Sequence, residues 1–334
     1  VTCSNTPNWL EFHLGKGLKI PNIKEISFER CQLPSEPSLA YITKQLIGDS
    51  VEELTLEGNY NLTYGLNRHY LQGFKNITRL TLSNNQLTNL TSHLFDDFTR
   101  LTTLNLRENE LQELPEGLLI IPSLKSIELG SNRVETIKNT AFKSLENLEL
   151  LNLWNNRLIE IQPGSFDNLK SLKSIDMHTN NLTTLPDDIF AKLSQLSSIN
   201  LSQNNLNFDS LAPELFHRNT LLETIIIVEN KRNSTTLPKK FFANLRNLER
   251  VNIRGNKLIN LPEDLLINAS NLQYFNAERN SIEKLDGYIF KDCKNLTSIN
   301  LSDNRLSDLP DQIFSTLDRL EQLDLSGNNL HIIK

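Results

Sequence analysis

The chain has 334 residues, of which 38% are hydrophobic, and a formal net charge of −6 from 34 basic and 40 acidic side chains. This mild charge argues against a surface for nucleic acid or for an anionic membrane. The uninterrupted apolar runs, such as Ile225 to Val228, are too short to span a bilayer, and three cysteines do not by themselves decide the redox compartment.

The first predicted element is a short strand in IKEISFERCQL, residues 23–33, where Cys31 occupies a position that later segments fill with asparagine. A disulfide between Cys3 and Cys31 would fix an N-terminal cap over the open core of this first coil, and terminal repeats need such caps. The alternative is a pair of free thiols. We therefore predict a cap and a first irregular coil over residues 1–50.

Residues 51–334 are predicted to form a repeat array. The segments ITRLTLSNNQL (77–87), LTTLNLRENEL (101–111) and LELLNLWNNRL (148–158) share one spacing of apolar residues followed by an asparagine. This spacing is the consensus of the leucine-rich repeat. The asparagine recurs every 23 to 26 residues, at Asn59, Asn85, Asn109, Asn132, Asn156, Asn180, Asn204, Asn230, Asn256, Asn280, Asn304 and Asn328.

Each coil is predicted to contribute one short strand, in which two apolar side chains point inward and the residue between them faces solvent. Strands of successive coils then stack into a parallel sheet. Because a buried asparagine side chain both donates and accepts hydrogen bonds, we expect the asparagines to form a ladder. This ladder would satisfy backbone groups of each coil and of its neighbour.

A second buried row is expected on the outer side of the coils, opposite the strands. It is formed by phenylalanines ten or twelve residues after the asparagine, at Phe95, Phe142, Phe166, Phe190, Phe216, Phe242, Phe290 and Phe314. Outer segments this wide exceed the strand spacing of about 4.8 Å, so the array must curve. The predicted fold class is an α/β solenoid, a horseshoe of about 13 coils with a concave parallel β-sheet.

Other positions of the array carry more specific expectations. Prolines six residues after the asparagine are expected to fix turns, at Pro115, Pro186, Pro262 and Pro310. Cys293 lies in an outer segment and is predicted to be buried and unpaired, as free cysteine packs like a small apolar group. The chain stops at Lys334, just past Asn328, so the array is expected to be uncapped at this end, as a fragment of a longer chain.

N-glycosylation sequons favour an extracellular protein. We predict N-linked glycans at Asn61, Asn76, Asn89, Asn181, Asn233, Asn268 and Asn295. The sequons at Asn200 and Asn300 are expected to stay unmodified, because these residues are the central solvent-facing residues of their strands. Stacking of asparagine side chains there is a sufficient reason for their presence.

The candidate ligand site lies at the variable strand positions on the concave face, where repeat arrays bind partners. Trp154 stands out because tryptophan is the best anchor residue of protein interfaces; the alternative is that it only shields the strands beside it. Ile226 and Val228 are apolar at two exposed positions of one strand, and their alternative is packing under the inserted loop at 231–238. The full candidate set is Arg107, Asn152, Trp154, Asp176, His178, Ile226 and Val228.

Enzyme activity is not expected. The chain has no glycine-rich phosphate loop and no HExxH, CxxC or GxSxG motif. Its six histidines fall in different coils without the spacing of metal ligands. We therefore predict no catalytic residues, no metal and no cofactor, apart from the glycans.

Several segments resemble insect Toll receptor ectodomains, over nearly the whole chain. They are RCQLP (30–34), LFDD (94–97), GSNR (130–133), LNLWNNRL (151–158), ID-x-H-x-N (175–180), LPDDIFAKL (185–193), INLS (199–202) and TTLPKKFFANL (235–245). The resemblance implies the N-terminal portion of a single-span cell-surface receptor. It also implies a ligand of the Spätzle type, a disulfide-linked cystine-knot cytokine dimer held near Trp154 and His178, and signalling in innate immunity and development. A receptor homodimer is a possible assembly.

The chain departs from this family in lacking the cysteine-rich C-terminal cap, the membrane span and the cytoplasmic TIR domain. We therefore expect ligand capture rather than direct signalling from this part of the chain, and we expect any membrane attachment to run through a span outside it. Two alternatives stay open at this point. One is a leucine-rich repeat adhesion or matrix protein, and the other is a secreted decoy receptor.

Overall fold

The computed structural model describes residues 2–3, 22–33, 38–39, 43, 50–230 and 234–331. The chain divides into two compact units, Val1–Leu158 and Ile159–Lys334. Each unit is a parallel-sheet solenoid in which one short strand per coil stacks on the strand of the next coil. The predicted leucine-rich repeat solenoid is confirmed.

The strands of the first unit stack in strict register, with Leu54 opposite both Ile26 and Leu80. Each residue position of the repeat therefore forms a row that runs across the coils. The elements of this unit are β1 (Glu25–Glu29), β2 (Glu53–Glu57), the 3₁₀ helix η1 (Tyr60–Tyr64), β3 (Arg79–Thr81), β4 (Thr103–Asn105), β5 (Ser126–Glu128), the two-residue β6 (Thr136–Ile137) and β7 (Leu150–Asn152).

The second unit repeats this register, with Ile199 opposite both Ile175 and Ile225. Its elements are the two-residue β8 (Glu160–Ile161), β9 (Ser174–Asp176), β10 (Ser198–Asn200), the 3₁₀ helix η2 (Phe208–Ser210), β11 (Thr224–Ile226), β12 (Arg250–Asn252), β13 (Tyr274–Asn276), β14 (Ser298–Asn300) and β15 (Gln322–Asp324). Leaving out β6 and β8, the described residues hold six stacked strands in the first unit and seven in the second, in agreement with the predicted coil count.

The outer segments of the ranges 50–230 and 234–331 are built from turns and the two short 3₁₀ helices. The prolines begin these turns as expected, since the carbonyl of Pro186 accepts from the Ile189 amide at 3.1 Å and that of Pro262 accepts from the Leu265 amide at 3.1 Å. Proline fixes its own φ and has no amide to leave unpaired. Among the described residues there is no helix long and apolar enough to cross a bilayer.

The asparagine ladder is present in both units. Asn204 is typical: its Nδ2 donates to the carbonyl of Leu201 in its own coil at 3.3 Å and to that of Met177 in the preceding coil at 3.0 Å. Its Oδ1 accepts from the Leu182 amide at 3.0 Å. Asn204 is fully buried, so these bonds replace water for backbone groups that the turn removes from solvent.

The phenylalanine row packs the opposite side of the core. In the second unit, the Phe190 ring lies 6.4 Å from Phe166 and 5.8 Å from Phe216, in nearly parallel planes. All three rings are fully buried. Leu266, also buried, takes the corresponding place in the coil that follows Phe242. The row therefore packs the core on the side of the coils that lies opposite the strands.

Cys3 and Cys31 form a disulfide with their Cα atoms 4.8 Å apart. Thr2 pairs with Glu29 in a parallel bridge, so the start of the chain extends the sheet beside β1. Most of residues 4–49 lie outside the described residues. The division into a cap over 1–50 and an array over 51–334 therefore stays a prediction.

Cys293 is buried and forms no disulfide. Burial, helped by the negative charge of Asp292, raises the pKa of the Cys293 thiol to about 12. The thiol is therefore protonated and inert at neutral pH.

Candidate binding surface

The strand face of each unit is formed by the residues that point away from the core, within each strand and directly after it. In β7 these are Leu150, Asn152 and Trp154, while Leu151 and Leu153 are buried. This alternation follows from the two-residue period of a strand. The strand face therefore collects the variable residues of the repeat.

The asparagine or aspartate that ends many of the strands closes a local turn. Asn152 Oδ1 accepts from the Trp154 amide at 3.3 Å, and Asp176 Oδ1 accepts from the His178 amide at 3.0 Å. The same bond is made by Asn105, Asn200, Asn252, Asn276, Asn300 and Asp324. Asn152 and Asp176 thus hold the backbone at the end of their strands, whatever they contribute to a ligand. The spacing of a polar residue two before the variable position could have indicated this role.

Trp154 is half-buried and packs over the strand before its own. A Cβ atom placed on Gly130 would lie 2.5 Å from Cε2 and Nε1 of the indole and 2.9 Å from Cδ1. The indole therefore occupies the space that a side chain at position 130 would need. Trp154 does shield the neighbouring strand, and the residue as a whole stays partly exposed.

Arg107 lies on the same face of the first unit, two coils before Trp154. Its side chain is exposed, and its Nε lies 3.1 Å from Glu108 Oε1. Because both groups are about half exposed (45% and 47%), this ion pair contributes little to stability. Arg107 is therefore a solvated charge that a partner can contact at small cost.

His178 lies on the strand face of the second unit and is half-buried. Its Nδ1 is 2.6 Å from Asp176 Oδ1, the same oxygen that accepts the His178 amide. The carboxylate fixes the orientation of the imidazole ring. The structure thus joins two residues that the sequence analysis selected separately.

Ile226 and Val228 are half-buried neighbours on the strand face of the second unit. The Val228 amide donates to Ser202 Oγ at 3.0 Å. The sequence analysis expected both residues at exposed positions, so the apolar surface that they offer a partner is smaller than expected. The inserted loop beside them is only partly described, because residues 231–233 lie outside the described residues.

A chain of charges follows the same face. Arg254 Nε lies 3.4 Å from Glu278 Oε2, Glu278 Oε1 lies 3.2 Å from Arg279 Nε, and Arg279 Nε lies 3.6 Å from Asp303 Oδ2. The strand face therefore carries charges of both signs in alternation.

Sequence reasoning missed a groove on the first strand positions of the second unit. The Arg250 guanidinium stacks 4.8 Å above the Tyr274 ring, and Tyr274 Oη accepts from Asn276 Nδ2 at 3.1 Å. The groove has a volume of about 410 Å³. The feature of the sequence that could have indicated this groove is a pair of large residues, Arg250 and Tyr274, at the same repeat position in two consecutive coils.

The candidate residues thus fall into two sets. Arg107, Asn152 and Trp154 lie on the strand face of the first unit, and Asp176, His178, Ile226 and Val228 lie on that of the second. In the described residues, no group of three or more His, Cys, Asp or Glu side chains is arranged to hold a metal ion. The arrangement suits contact with a macromolecular surface.

The predicted glycan sites differ in accessibility. Asn61, Asn89, Asn181 and Asn268 are exposed, whereas Asn76 and Asn295 are half-buried. Asn295 Nδ2 donates to the Ser270 carbonyl at 3.0 Å, and Asn147 and Asn247 make the corresponding bond in coils that carry no sequon there. A glycan replaces one of the two Nδ2 hydrogens, so at Asn295 a single N–H would remain for this bond and for the one to Asn271 Oδ1 at 3.4 Å. Asn233 lies outside the described residues.

The family profile described as leucine rich repeat matches residues 49–117, 122–182, 171–231 and 270–330. Comparison with curated protein sequences returned no match. Among solved structures, the chain is similar to Toll in the Drosophila Toll–Spätzle complex, with a TM-score of 0.82 and 30% identity over 98% of this chain. The glycosylated form of that complex gives a TM-score of 0.82 and 29% identity over 97% of the chain.

The chain covers 43% and 44% of the Toll chains in those two structures, so it spans less than half of their length. The TLR13–ssRNA13 complex is more distant, with a TM-score of 0.62 and 20% identity over 91% of this chain and 54% of that one. At that identity the likeness shows the fold alone. The chain belongs to the leucine-rich repeat family and has the fold of a Toll-like ectodomain.

Proposed function

We propose that this chain is the ligand-binding region of a Toll-type cell-surface receptor. It captures a Spätzle-like, disulfide-linked cystine-knot cytokine dimer on its strand face and thereby contributes to innate immune and developmental signalling. The observation that carries this proposal is the similarity to Toll of the Toll–Spätzle complex, which extends over 98% of the chain at 30% identity.

The chemistry of the strand face supports a protein ligand. Trp154 offers a partly exposed aromatic ring, and burial of a tryptophan anchor by a partner contributes on the order of 2–4 kcal/mol. Arg107 and the charge chain from Arg254 to Asp303 supply both signs of charge around apolar surface. A net charge of −6 does not favour the binding of a nucleic acid.

Placement outside the cell follows from the same proposal. The Cys3–Cys31 disulfide is typical of oxidising compartments, and four sequon asparagines are exposed in the structure. We expect N-linked glycans at these four sites first. Mass spectrometry of glycopeptides from the secreted chain measures their occupancy, and a chain unmodified at Asn61, Asn89, Asn181 and Asn268 alike would contradict the extracellular placement.

The test is a titration of the glycosylated chain with a processed Spätzle-type dimer, beside a Trp154→Ala variant. We expect saturable binding that weakens at least tenfold in the variant, because the anchor ring is lost. Tyr288→Ala is the matched control: it removes a 60% exposed aromatic ring from outside the strand face, and its affinity is expected to stay within twofold.

The other outcomes are also decisive. Binding that is unchanged by Trp154→Ala would keep the receptor and move the ligand site away from this ring. No binding at micromolar dimer, with the circular dichroism of a folded chain, would overturn the proposal and favour an adhesion or matrix role.

A further inference from the structure

Gly130 has a role that the repeat does not explain. It follows Leu129, the buried residue directly after β5, and the corresponding positions of the neighbouring coils hold Arg107 and Trp154. Its φ does not lie in the left-handed region that requires glycine, unlike that of Gly255 or Gly327. The backbone at position 130 would therefore accept other residues, and the reason for glycine is space.

That space is occupied by the indole of Trp154. The three ring atoms that a Cβ at position 130 would meet, at 2.5 to 2.9 Å, all belong to the five-membered ring. These distances are well inside van der Waals contact, so even a methyl group would displace the ring. Gly130 itself is buried, whereas Trp154 is half-buried. The indole thus covers the glycine, and Trp154 as a residue stays partly exposed.

The backbone beneath the indole is also fixed. The Trp154 carbonyl accepts from the Ser131 amide at 2.9 Å, so the residue directly after Gly130 is tied to Trp154. The Trp154 amide donates to Asn152 Oδ1 at 3.3 Å. With the backbone held on both sides, the remaining freedom of Trp154 is the rotation of its side chain, and the missing side chain at position 130 selects the conformation that lies over β5.

We infer that Gly130 is a positioning residue for ligand binding: it seats the Trp154 indole in the orientation that receives the ligand. This inference rests on the proposed function and adds a residue to its site. A ring that is already seated does not lose its rotational freedom when the partner arrives, which is the physical basis of preorganised anchors. A side chain at position 130 would push the indole into solvent and impose that cost on binding.

The inference is tested by a double-mutant cycle with Gly130→Ala, Trp154→Ala and the double variant, titrated with the same cytokine dimer. We expect Gly130→Ala to weaken binding at least fivefold when Trp154 is present and less than twofold when it is replaced by alanine. An equal loss in both backgrounds would overturn the inference, because Gly130 would then act independently of the indole.

A second measurement needs no ligand. The chain is labelled with 5-fluorotryptophan, and the ¹⁹F resonance of Trp154 is identified by its loss in Trp154→Phe. We expect Gly130→Ala to shift this resonance, with the circular dichroism spectrum unchanged, while Ser126→Ala on the same strand leaves it in place. An unshifted resonance in Gly130→Ala would overturn the inference.

These two measurements separate the inference from the proposed function. If the chain without substitutions does not bind the dimer, the proposed function and the binding role of Gly130 are both overturned. A shifted fluorine resonance would still show that Gly130 positions the Trp154 indole. If the chain without substitutions binds and the double-mutant cycle shows no coupling between Gly130 and Trp154, only the role of Gly130 is overturned.

Discussion

In the second unit, the interior rows repeat the same residues and contacts from coil to coil, whereas the strand face does not. In the interior, each coil repeats the same contacts, as Asn204 and Asn256 bond to carbonyls of their own and the preceding coil. On the strand face, neighbouring coils carry different side chains in the same row, such as His178, Ser202 and Val228. The interior therefore determines the fold, and the strand face is free to determine what is bound.

This difference has an energetic consequence. In a repeat array, stability is approximately the sum of the contributions of each coil and of its contacts with the next coil. Interior changes should therefore be costly wherever they are made, whereas changes on the strand face should be mild for stability and specific for binding. The following predictions test this contrast, beginning with the largest expected effect.

Phe190→Ala is expected to destabilise the chain by about 4 kcal/mol, because it opens a cavity in a closely packed aromatic row. The ring is fully buried and lies between those of Phe166 and Phe216. Urea unfolding followed by circular dichroism measures the change. Tyr288→Ala, which removes an exposed ring, should change the unfolding free energy by less than about 0.5 kcal/mol. Equal effects of the two variants would contradict the contrast.

Asn204→Ala is expected to cost about 3 kcal/mol, because it leaves buried backbone groups of two coils without partners. The side chain donates to the carbonyls of Met177 and Leu201 and accepts from the Leu182 amide. Asn200→Ala is the control from the strand face, where the side chain accepts one bond from the Ser202 amide. That change should cost about 1 kcal/mol. A cost at Asn200 equal to that at Asn204 would remove the distinction between ladder and face.

Thr179→Gly is expected to stabilise the chain by about 1 kcal/mol, because β-branched residues rarely adopt left-handed backbone conformations. The residue before the ladder asparagine has a positive φ in many coils, and Thr179 has a φ of 57° there. Gly255 occupies the same repeat position with a φ of +70°.

Two variants control this prediction. Thr184→Gly changes a nearby exposed threonine that does not have a positive φ. This change should destabilise the chain by roughly a few tenths of a kcal/mol. Gly255→Ala reverses the change and should destabilise it, since a Cβ there would lie 2.9 Å from Glu229 Cγ. Thermal unfolding ranks the stabilities of the three variants. If Gly255→Ala stabilised the chain, the explanation by the cost of a positive φ would be wrong.

Cys293 is expected to be silent at neutral pH. Burial raises its pKa to about 12, so iodoacetamide at pH 8 should react roughly 1000-fold more slowly with the native chain than with the chain in urea. Linkage predicts no effect of this group on stability at pH 7. Above about pH 9 the unfolded thiol ionises first, so stability should fall as the pH rises. Rapid alkylation of the native chain would show that this outer segment opens.

Much of the interior could be predicted from sequence because it repeats. The recurrence of asparagine and phenylalanine at fixed spacings predicted the ladder and the outer row, and the position of Cys31 in the first coil predicted its bond to Cys3. The ladder followed from the requirement that buried polar groups be paired, the outer row from the fixed spacing after each asparagine, and the disulfide from the need of a terminal coil for a cap.

The candidate surface was less predictable because its contacts join residues from different coils. The sequence singled out Trp154 as an anchor but could not show that its ring lies over Gly130. It selected Ile226 and Val228 as exposed, whereas the structure half-buries both. Seven candidate residues and the occupancy of the sequons still stand as predictions.

The repeat, its register and its buried rows follow from the amino-acid sequence alone, because periodic spacing decides which side chains face inward. The tertiary structure decided where the indole of Trp154 lies, which oxygen holds the His178 ring, and that Asn295 is committed to the Ser270 carbonyl. The physical reason is distance along the chain: stacking places residues about two dozen positions apart side by side, and the conformations of their side chains depend on that neighbour rather than on local sequence.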